Sequence, residues 1–331
     1  MNILLIGGSG TVGSALTTLL ISRENEVFLI DRNYSGKRIS GVHHIIMDYY
    51  QSSIESIQEL IVKNKITVVI NFIIFKKEHV INDFLIFNNI IEHYFFISTT
   101  MVYDRSILAP AYSENCKLGN PYSEYARNKI ECENQFRIFA TNYNFPCTII
   151  RPTDTYDERT LPFPIQGSQG IWQNILRIIN RKPHIIHDDG NNLWTLTSNF
   201  DFACGLYALL SNINTIGETI QITSSDVLSW NEIFDCIASA LNVPLIPYYI
   251  PSATLALHGA KYDLEDTLLG DAGNMSIFDN SKLISYYPEY KTTKRFKIEV
   301  TDIIQNLLSN SMFHKTDPEF DHWCDYMVDH F

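Results

Sequence analysis

Ile3-Leu4-Leu5-Ile6-Gly7-Gly8-Ser9-Gly10-Thr11-Val12-Gly13 decides the fold. A short, wholly apolar run ends in glycines at three-residue spacing, Gly7, Gly10 and Gly13, and Val12 to Ile21 then carries apolar residues at helical spacing. Glycine permits a tight turn with positive φ, and its missing Cβ lets a pyrophosphate approach the backbone. The helix start behind it offers unpaired N–H groups and the positive end of a dipole. The next apolar run, Val27 to Ile30, closes on Asp31, at the ~20-residue spacing where a carboxylate accepts from the adenosine ribose and repels a 2′-phosphate. Gly7, Gly10, Thr11, Val12 and Gly13 are therefore expected at the phosphates of a dinucleotide, and Asp31 at its ribose. NAD is expected rather than NADP, although Arg32 beside the acid points the other way. Asp48, closing a third run over His43–Met47, is expected at the adenine amino group, with a strand-end surface Asp as the alternative.

Working outward, the same alternation continues. Ile54, Ile57, Leu60 and Ile61 mark a helix face. Val68–Phe75 and Tyr94–Ile97 read as the fourth and fifth strands, Pro121–Ala140 as a long helix, and Pro146–Ile150 as the sixth strand. Strands apolar at every position and separated by helices imply a parallel sheet covered on both faces. With right-handed crossovers the fold class is α/β, a doubly wound parallel sheet of Rossmann type. After about residue 152 prolines and glycines cluster and short strands such as Ile220–Thr223 mix with helices such as Trp230–Leu241. The expected division is 1–155 for the cofactor and the catalytic residues, and 156–331 for a smaller mixed α/β substrate region with segments returning to the first sheet. Phe320, Trp323, Cys324, Met327 and Phe331 predict a C-terminal helix docked on its own domain.

Composition bounds the partners. The 331 residues suit about two domains. Hydrophobic residues are 45% and charged residues 19%, enough for packed cores. Lys+Arg 25 against Asp+Glu 37 gives a net charge of −12, the wrong sign for a nucleic-acid surface or an anionic membrane. The six cysteines include no C-x-x-C pair, so reduced thiols in a cytoplasmic protein are expected. The chain opens on Asn2–Ile6 without a basic leader. Its longest apolar stretches fall short of the ~18 residues that span a bilayer. His184 and His187, and the pair His43-His44, lack the placement of metal ligands. No G-x-S-x-G supports a serine hydrolase.

Tyr125-Ala126-Arg127-Asn128-Lys129 is Y-x-x-x-K on the long helix, which puts phenol and ammonium on one face. A nearby cation favours phenolate, and the phenol then shuttles a proton to or from a substrate oxygen. A strand-end hydroxyl should share that oxygen, and Ser98-Thr99-Thr100 ends the fifth strand, where the crevice of such a sheet opens.

Together these motifs resemble an extended short-chain dehydrogenase/reductase of the NAD-dependent epimerase/dehydratase type. The resemblance rests on Gly7–Gly13, Phe96–Tyr103, Pro121–Lys129, Arg151–Tyr156, His187–Gly190 and Phe278–Lys282. It implies that Tyr125 is the acid/base, that Lys129 lowers its pKa and holds the nicotinamide ribose, and that Thr99 is the hydroxyl partner. Tyr122 is a rival by proximity, but four residues on stands Ala126. The implied function is NAD-dependent epimerisation or oxidoreduction of a sugar-like secondary alcohol. Alternatives are a nucleotide-sugar dehydratase or reductase, and a nucleotide-sensing or RNA-associated member of the fold. The second is disfavoured by an intact Tyr125 and Lys129. Relatives often pair through two helices, here around Val80–Ile91 and the Y-x-x-x-K helix, so a homodimer is an expectation.

Departures from the family pattern bear on the substrate. Sugar-nucleotide 4,6-dehydratases carry an Asp-Glu pair where this chain has Thr100 and Met101. Nucleotide-sugar enzymes of this type commonly place Asn where Asp154 stands and Arg where Trp194 stands, both at a diphosphate. A carboxylate and an indole are poor phosphate partners. Thr100, Asp154 and Trp194 are the expected substrate contacts, with a packing role as the alternative for Trp194, and Lys76, Lys77, Arg105 and Arg159 are the candidate anion contacts, with solvated surface charges as the alternative.

Overall fold

The computed structural model describes residues 1–32, 39–107 and 109–331. In chain order it contains β1 (Asn2–Ile6), α1 (Thr11–Ser22), β2 (Glu26–Asp31), β3 (Val42–Ile46), α2 (Ile54–Lys63), β4 (Val68–Asn71), α3 (Lys77–Phe87), β5 (His93–Ile97), α4 (Glu124–Tyr143) and β6 (Cys147–Pro152). The second half adds β7 (Thr155–Tyr156), α5 (Trp172–Ile179), β8 (His184–His187), β9 (Leu193–Thr195), β10 (Thr197–Ser198), α6 (Asn199–Leu209), β11 (Thr219–Ile222), β12 (Val227–Ser229) and α7 (Trp230–Ala240). It ends with β13 (Pro247–Ile250), α8 (Ser252–His258), a wide π-helical stretch over Glu265–Ala272, α9 (Ser281–Tyr286), α10 (Phe296–Ser309) and α11 (Pro318–His330).

The central sheet has seven parallel strands in the order β11-β6-β5-β4-β1-β2-β3. Alternate residues of each strand feed opposite faces, as the period-2 geometry of a strand requires. Leu4, Ile6, Val69, Tyr94, Phe96 and Ile149 pack on one side with Ile57, Ile61, Val80 and Phe136 of α2, α3 and α4. Ile3, Leu5, Ile70, Phe95 and Ile97 pack on the other with Leu16 and Leu20 of α1 and Phe202 and Leu206 of α6. Strand order reverses between β1 and β4, so a crevice opens there at the carboxyl ends of the strands.

Two elements differ from expectation. The fourth strand stops at Asn71 rather than Phe75, because Asn71 Oδ1 accepts from the Ile73 amide at 2.9 Å and turns the chain out of the sheet. The long helix starts at Glu124 rather than Pro121, because Ser123 caps it, its hydroxyl accepting from the Ala126 amide.

A separate core fills the second half, built on Trp172, Ile175, Ile186, Trp230, Ile233 and Phe234 with Val300 and Ile304 of α10. α11 packs into this core through Phe320, Cys324 and Met327, as its apolar spacing implied. Arg177 on α5 donates to Asp321 and Asp325 at 2.7 Å each and ties the helix down. Some segments do not stay with this core: β11 pairs with β6 and completes the first sheet, which α6 covers beside α1. No helix among the described residues is long and apolar enough to cross a membrane.

Candidate active site

The glycine turn bends between β1 and α1. Gly7 sits at φ +75°, and a Cβ there would overlap Ile73. A Cβ on Gly13 would overlap the Gly8 carbonyl, so this glycine is what lets the helix start against the turn. At Gly10 a Cβ would meet nothing within 4 Å and would stand in open cleft. Gly10 is the N-cap of α1; no side chain caps the helix and no acid sits in its first turn, so its N–H groups and dipole are left for an anion. Behind the turn Asp31 accepts from Ser9 Oγ at 3.1 Å on one oxygen, while its other oxygen, Oδ2, is buried with no donor. Burial raises this carboxyl despite Ser9. A bare helix start and an orphaned acceptor one strand away fit the diphosphate and ribose of a dinucleotide. Arg32 is exposed. Asp48 is also exposed, at the head of a short turn over Tyr49–Gln51, and is not among the residues lining the cleft.

A cleft of about 390 Å³ runs from this turn across the ends of β5 and β6. Gly7, Gly10, Thr11, Val12 and Gly13 line one end, and Thr99, Thr100, Tyr125, Lys129, Asp154 and Asp271 the other. Thr99 is held by its own turn, its Oγ1 accepting from the Met101 amide at 3.2 Å. Tyr125 opens into the cleft at 36% exposure, whereas Lys129, one turn on, is 1% exposed. The Lys129 ammonium donates to the Ile97 carbonyl at 2.8 Å and lies 5.6 Å from the Tyr125 ring centre. Burial drops Lys129 to about 7, against the pull of Cys132 and Glu133. Burial, then the Asp271 carboxylate, pushes the Tyr125 phenol up to about 12, against a contact with Thr99 that pulls it down.

The expected substrate residues divide. Thr100 and Asp154 line the cleft. Trp194 does not: it is 3% exposed, 5.2 Å from the Trp230 ring, and belongs to the second core, so it is not a stacking surface for a ligand. The candidate anion contacts are spent or turned away. Lys76 and Lys77 are exposed outside the cleft. Arg159 is bound to Asp157 through Nε at 2.9 Å and its terminal nitrogen at 2.6 Å. Arg105 is buried between the rings of Tyr112 and Phe278. Among the described residues lining the cleft, Lys129 is the one cation.

Two parts of the site escaped the sequence reading. Ser98 Oγ donates to Glu133 at 2.7 Å, and the same buried carboxylate receives Arg151 at 2.9 and 2.6 Å and Arg137 at 2.7 Å. Burial favours the neutral acid, yet Arg151 and Arg137 overcome it and hold Glu133 below the usual carboxylate range. Glu133 follows Tyr125 and Lys129 at the same four-residue spacing, a signal present in the sequence. Asp271 reaches the cleft from the π-helical stretch, and no local pattern marks it.

Residues 3–223 match the sequence profile of the NAD dependent epimerase/dehydratase family. A 2′-dehydrokanamycin reductase of Streptomyces kanamyceticus is 26% identical over 176 residues, 52% of this chain and 47% of its own length. The chain spans less than half the length of the curated relatives it matches. The dTDP-glucose 4,6-dehydratase of Bacillus anthracis, solved with NAD, superposes with a TM-score of 0.74 at 15% identity, covering 94% of this chain and 98% of the other. The UDP-glucuronic acid 4-epimerase of Bacillus cereus, solved with UDP-glucuronic acid and NAD, gives 0.72 at 19% identity, covering 93% and 99%. At such identities the structural likeness speaks for the fold alone.

Proposed function

The chain belongs to the NAD dependent epimerase/dehydratase family, and from that premise we propose that it oxidises or reduces a secondary alcohol of a sugar-like substrate, as net redox or as epimerisation. The observation that carries this is the meeting of Thr99, Tyr125 and Lys129 with the glycine turn around one cleft. Bound NAD supplies the hydride acceptor. Gly7, Gly10, Thr11, Val12 and Gly13 hold its diphosphate at the bare start of α1, and Asp31 offers its free oxygen to the adenosine ribose. That carboxylate disfavours a 2′-phosphate.

Tyr125 takes the proton of the substrate hydroxyl, and Thr99 donates to the oxygen as it becomes a carbonyl. Lys129, anchored on the Ile97 carbonyl, holds the second ribose and favours the phenolate by its charge. Thr100, Asp154 and Asp271 bound the space left for the substrate. The exposed apolar side chains Ile81 and Leu85 of α3, and Ile138 and Tyr143 of α4, support pairing with a second copy through these helices.

Tyr125→Phe tests the reading. Removing the proton acceptor should cost at least ~100-fold in turnover, the usual worth of a positioned acid/base, and leave NAD affinity near normal by calorimetry. Near-normal turnover in the Phe variant would overturn the role of Tyr125.

A further inference from the structure

Lys129 is a buried ammonium whose charge is met mainly by rings. Its one polar contact among the described residues is the Ile97 carbonyl at 2.8 Å. Glu133, one turn on along α4, is taken by Arg151 and Arg137. A charge removed from water needs compensation. Three ring faces surround this one: the Lys129 nitrogen lies 4.9 Å from the centre of Phe96, 5.0 Å from Phe75 and 5.6 Å from Tyr125. Each is within the ~6 Å over which a cation is drawn to the negative face of an aromatic ring. Phe96 belongs to the core under the sheet and Tyr125 to the chemistry, which leaves the placement of Phe75 to be explained.

The turn at Asn71 takes Phe75 out of the sheet and over the helix that carries Lys129. A second anchor fixes it there. The Phe75 amide donates to His79 Nδ1 at 3.2 Å, and the His79 ring stacks on Tyr50 at 3.8 Å with 17° between the planes. The Phe75 ring then stands 6.3 Å from the Tyr125 ring. Burial does not account for this position: Phe75 remains 42% exposed, whereas its neighbour Ile74 is fully buried.

We propose that Phe75 is a positioning residue of the active site, closing an aromatic cage that keeps the Lys129 ammonium on the Ile97 carbonyl and available to the cleft. The proposal rests on the dehydrogenase reading of the same site, in which that ammonium holds the second ribose and favours the phenolate. A ring face attracts the charged form alone. It therefore opposes burial, which drops Lys129 to about 7. Without the Phe75 ring, Lys129 should release its proton at lower pH. The other titratable groups around the ammonium are Tyr125, Cys132 and Glu133 on α4 and His79 on α3. The loop itself adds Lys76, exposed outside the cleft. Replacing Phe75 alters none of them.

Competitive acetylation of the full chain with acetic anhydride, read at the Lys129 peptide by mass spectrometry, follows this charge without any substrate. Phe75→Leu keeps an apolar side chain but no ring. It should move the midpoint of Lys129 labelling down by about 0.7 pH, a change of about fivefold in the proton equilibrium and the worth of one such contact. By calorimetry at about pH 8 the same variant should bind NAD about fivefold more weakly. Phe75→Tyr restores the ring face and should recover both. In a Lys129→Met chain, Phe75→Leu should cost nothing further in NAD affinity, because the ring acts through the ammonium. An unmoved labelling midpoint, a Tyr variant no better than the Leu variant, or an NAD loss that persists in the Lys129→Met chain would refute the proposal; the last would make Phe75 a direct contact of the cofactor. Lys129→Met with native NAD affinity would instead sink the ribose role of Lys129, and the labelling midpoint would still decide the cage.

Discussion

Gly10 and Gly13 are the same residue type in one turn, yet they do different work. The Gly13 Cα faces the Gly8 carbonyl, backbone that cannot yield, whereas Gly10 faces open cleft. Gly13→Ala should therefore lower both thermal stability, by about 1–3 kcal/mol of overpacking, and NAD affinity. Gly10→Ala should leave the melting temperature near that of the native chain and weaken NAD alone, since its methyl meets only the ligand. Melting curves with and without NAD on the two variants distinguish these outcomes; equal losses of stability would contradict the geometry. At this scale the glycines and Asp31 were legible, because each answers to a local demand of backbone or charge. For Trp194 the packing alternative holds and the substrate contact does not. Its position in the sequence suggested the cleft, but packing against Trp230 put it in the neighbouring core.

The element that organises the chemistry is α4. Tyr125, Lys129 and Glu133 recur every four residues, so one helix face carries the phenol, the ammonium and a buried carboxylate. Glu133 binds Arg151 of β6 and Ser98 at the end of β5, and thereby fixes α4 against the strand end that carries Thr99. Glu133→Gln leaves the Arg151 guanidinium buried without its counter-charge and should cost about 3–5 kcal/mol of unfolding free energy. Arg151→Met in the same chain should restore part of the loss, because an uncompensated charge is then no longer buried. Urea titration reads both; a Glu133→Gln chain as stable as the native one would show that the pair contributes nothing. The folded carboxyl of Glu133 titrates below its unfolded range, so its contribution is complete at neutral pH and is lost as pH falls through the folded value. The helix itself was legible from its composition, but the ion pair was not, since Arg151 lies 18 residues from Glu133 across a turn and a strand.

On the scale of the whole molecule the two cores are not independent. β11 comes from the second half of the chain and pairs with β6, and α6 covers the face of the sheet beside α1. A fragment of residues 1–155 would expose the β6 edge and the apolar face under Phe202, Leu206 and Leu209. We expect that fragment to lack a cooperative melting transition by circular dichroism and to bind no NAD, while the full chain does both. A cooperative, NAD-binding fragment would establish residues 1–155 as a self-sufficient unit. By itself the sequence determined the parallel α/β sheet, the glycine turn, Asp31 and the Tyr125–Lys129 face. These depend on apolar periodicity, on φ and on four-residue spacing, all of which act over a few residues. Only the tertiary structure decided which distant residues line the cleft. Arg105 and Asp271 are 166 positions apart in the chain, and no short-range rule relates them. Their meeting, and the arrival of Asp154 and Asp271 on one cleft, exists only once distant segments are packed.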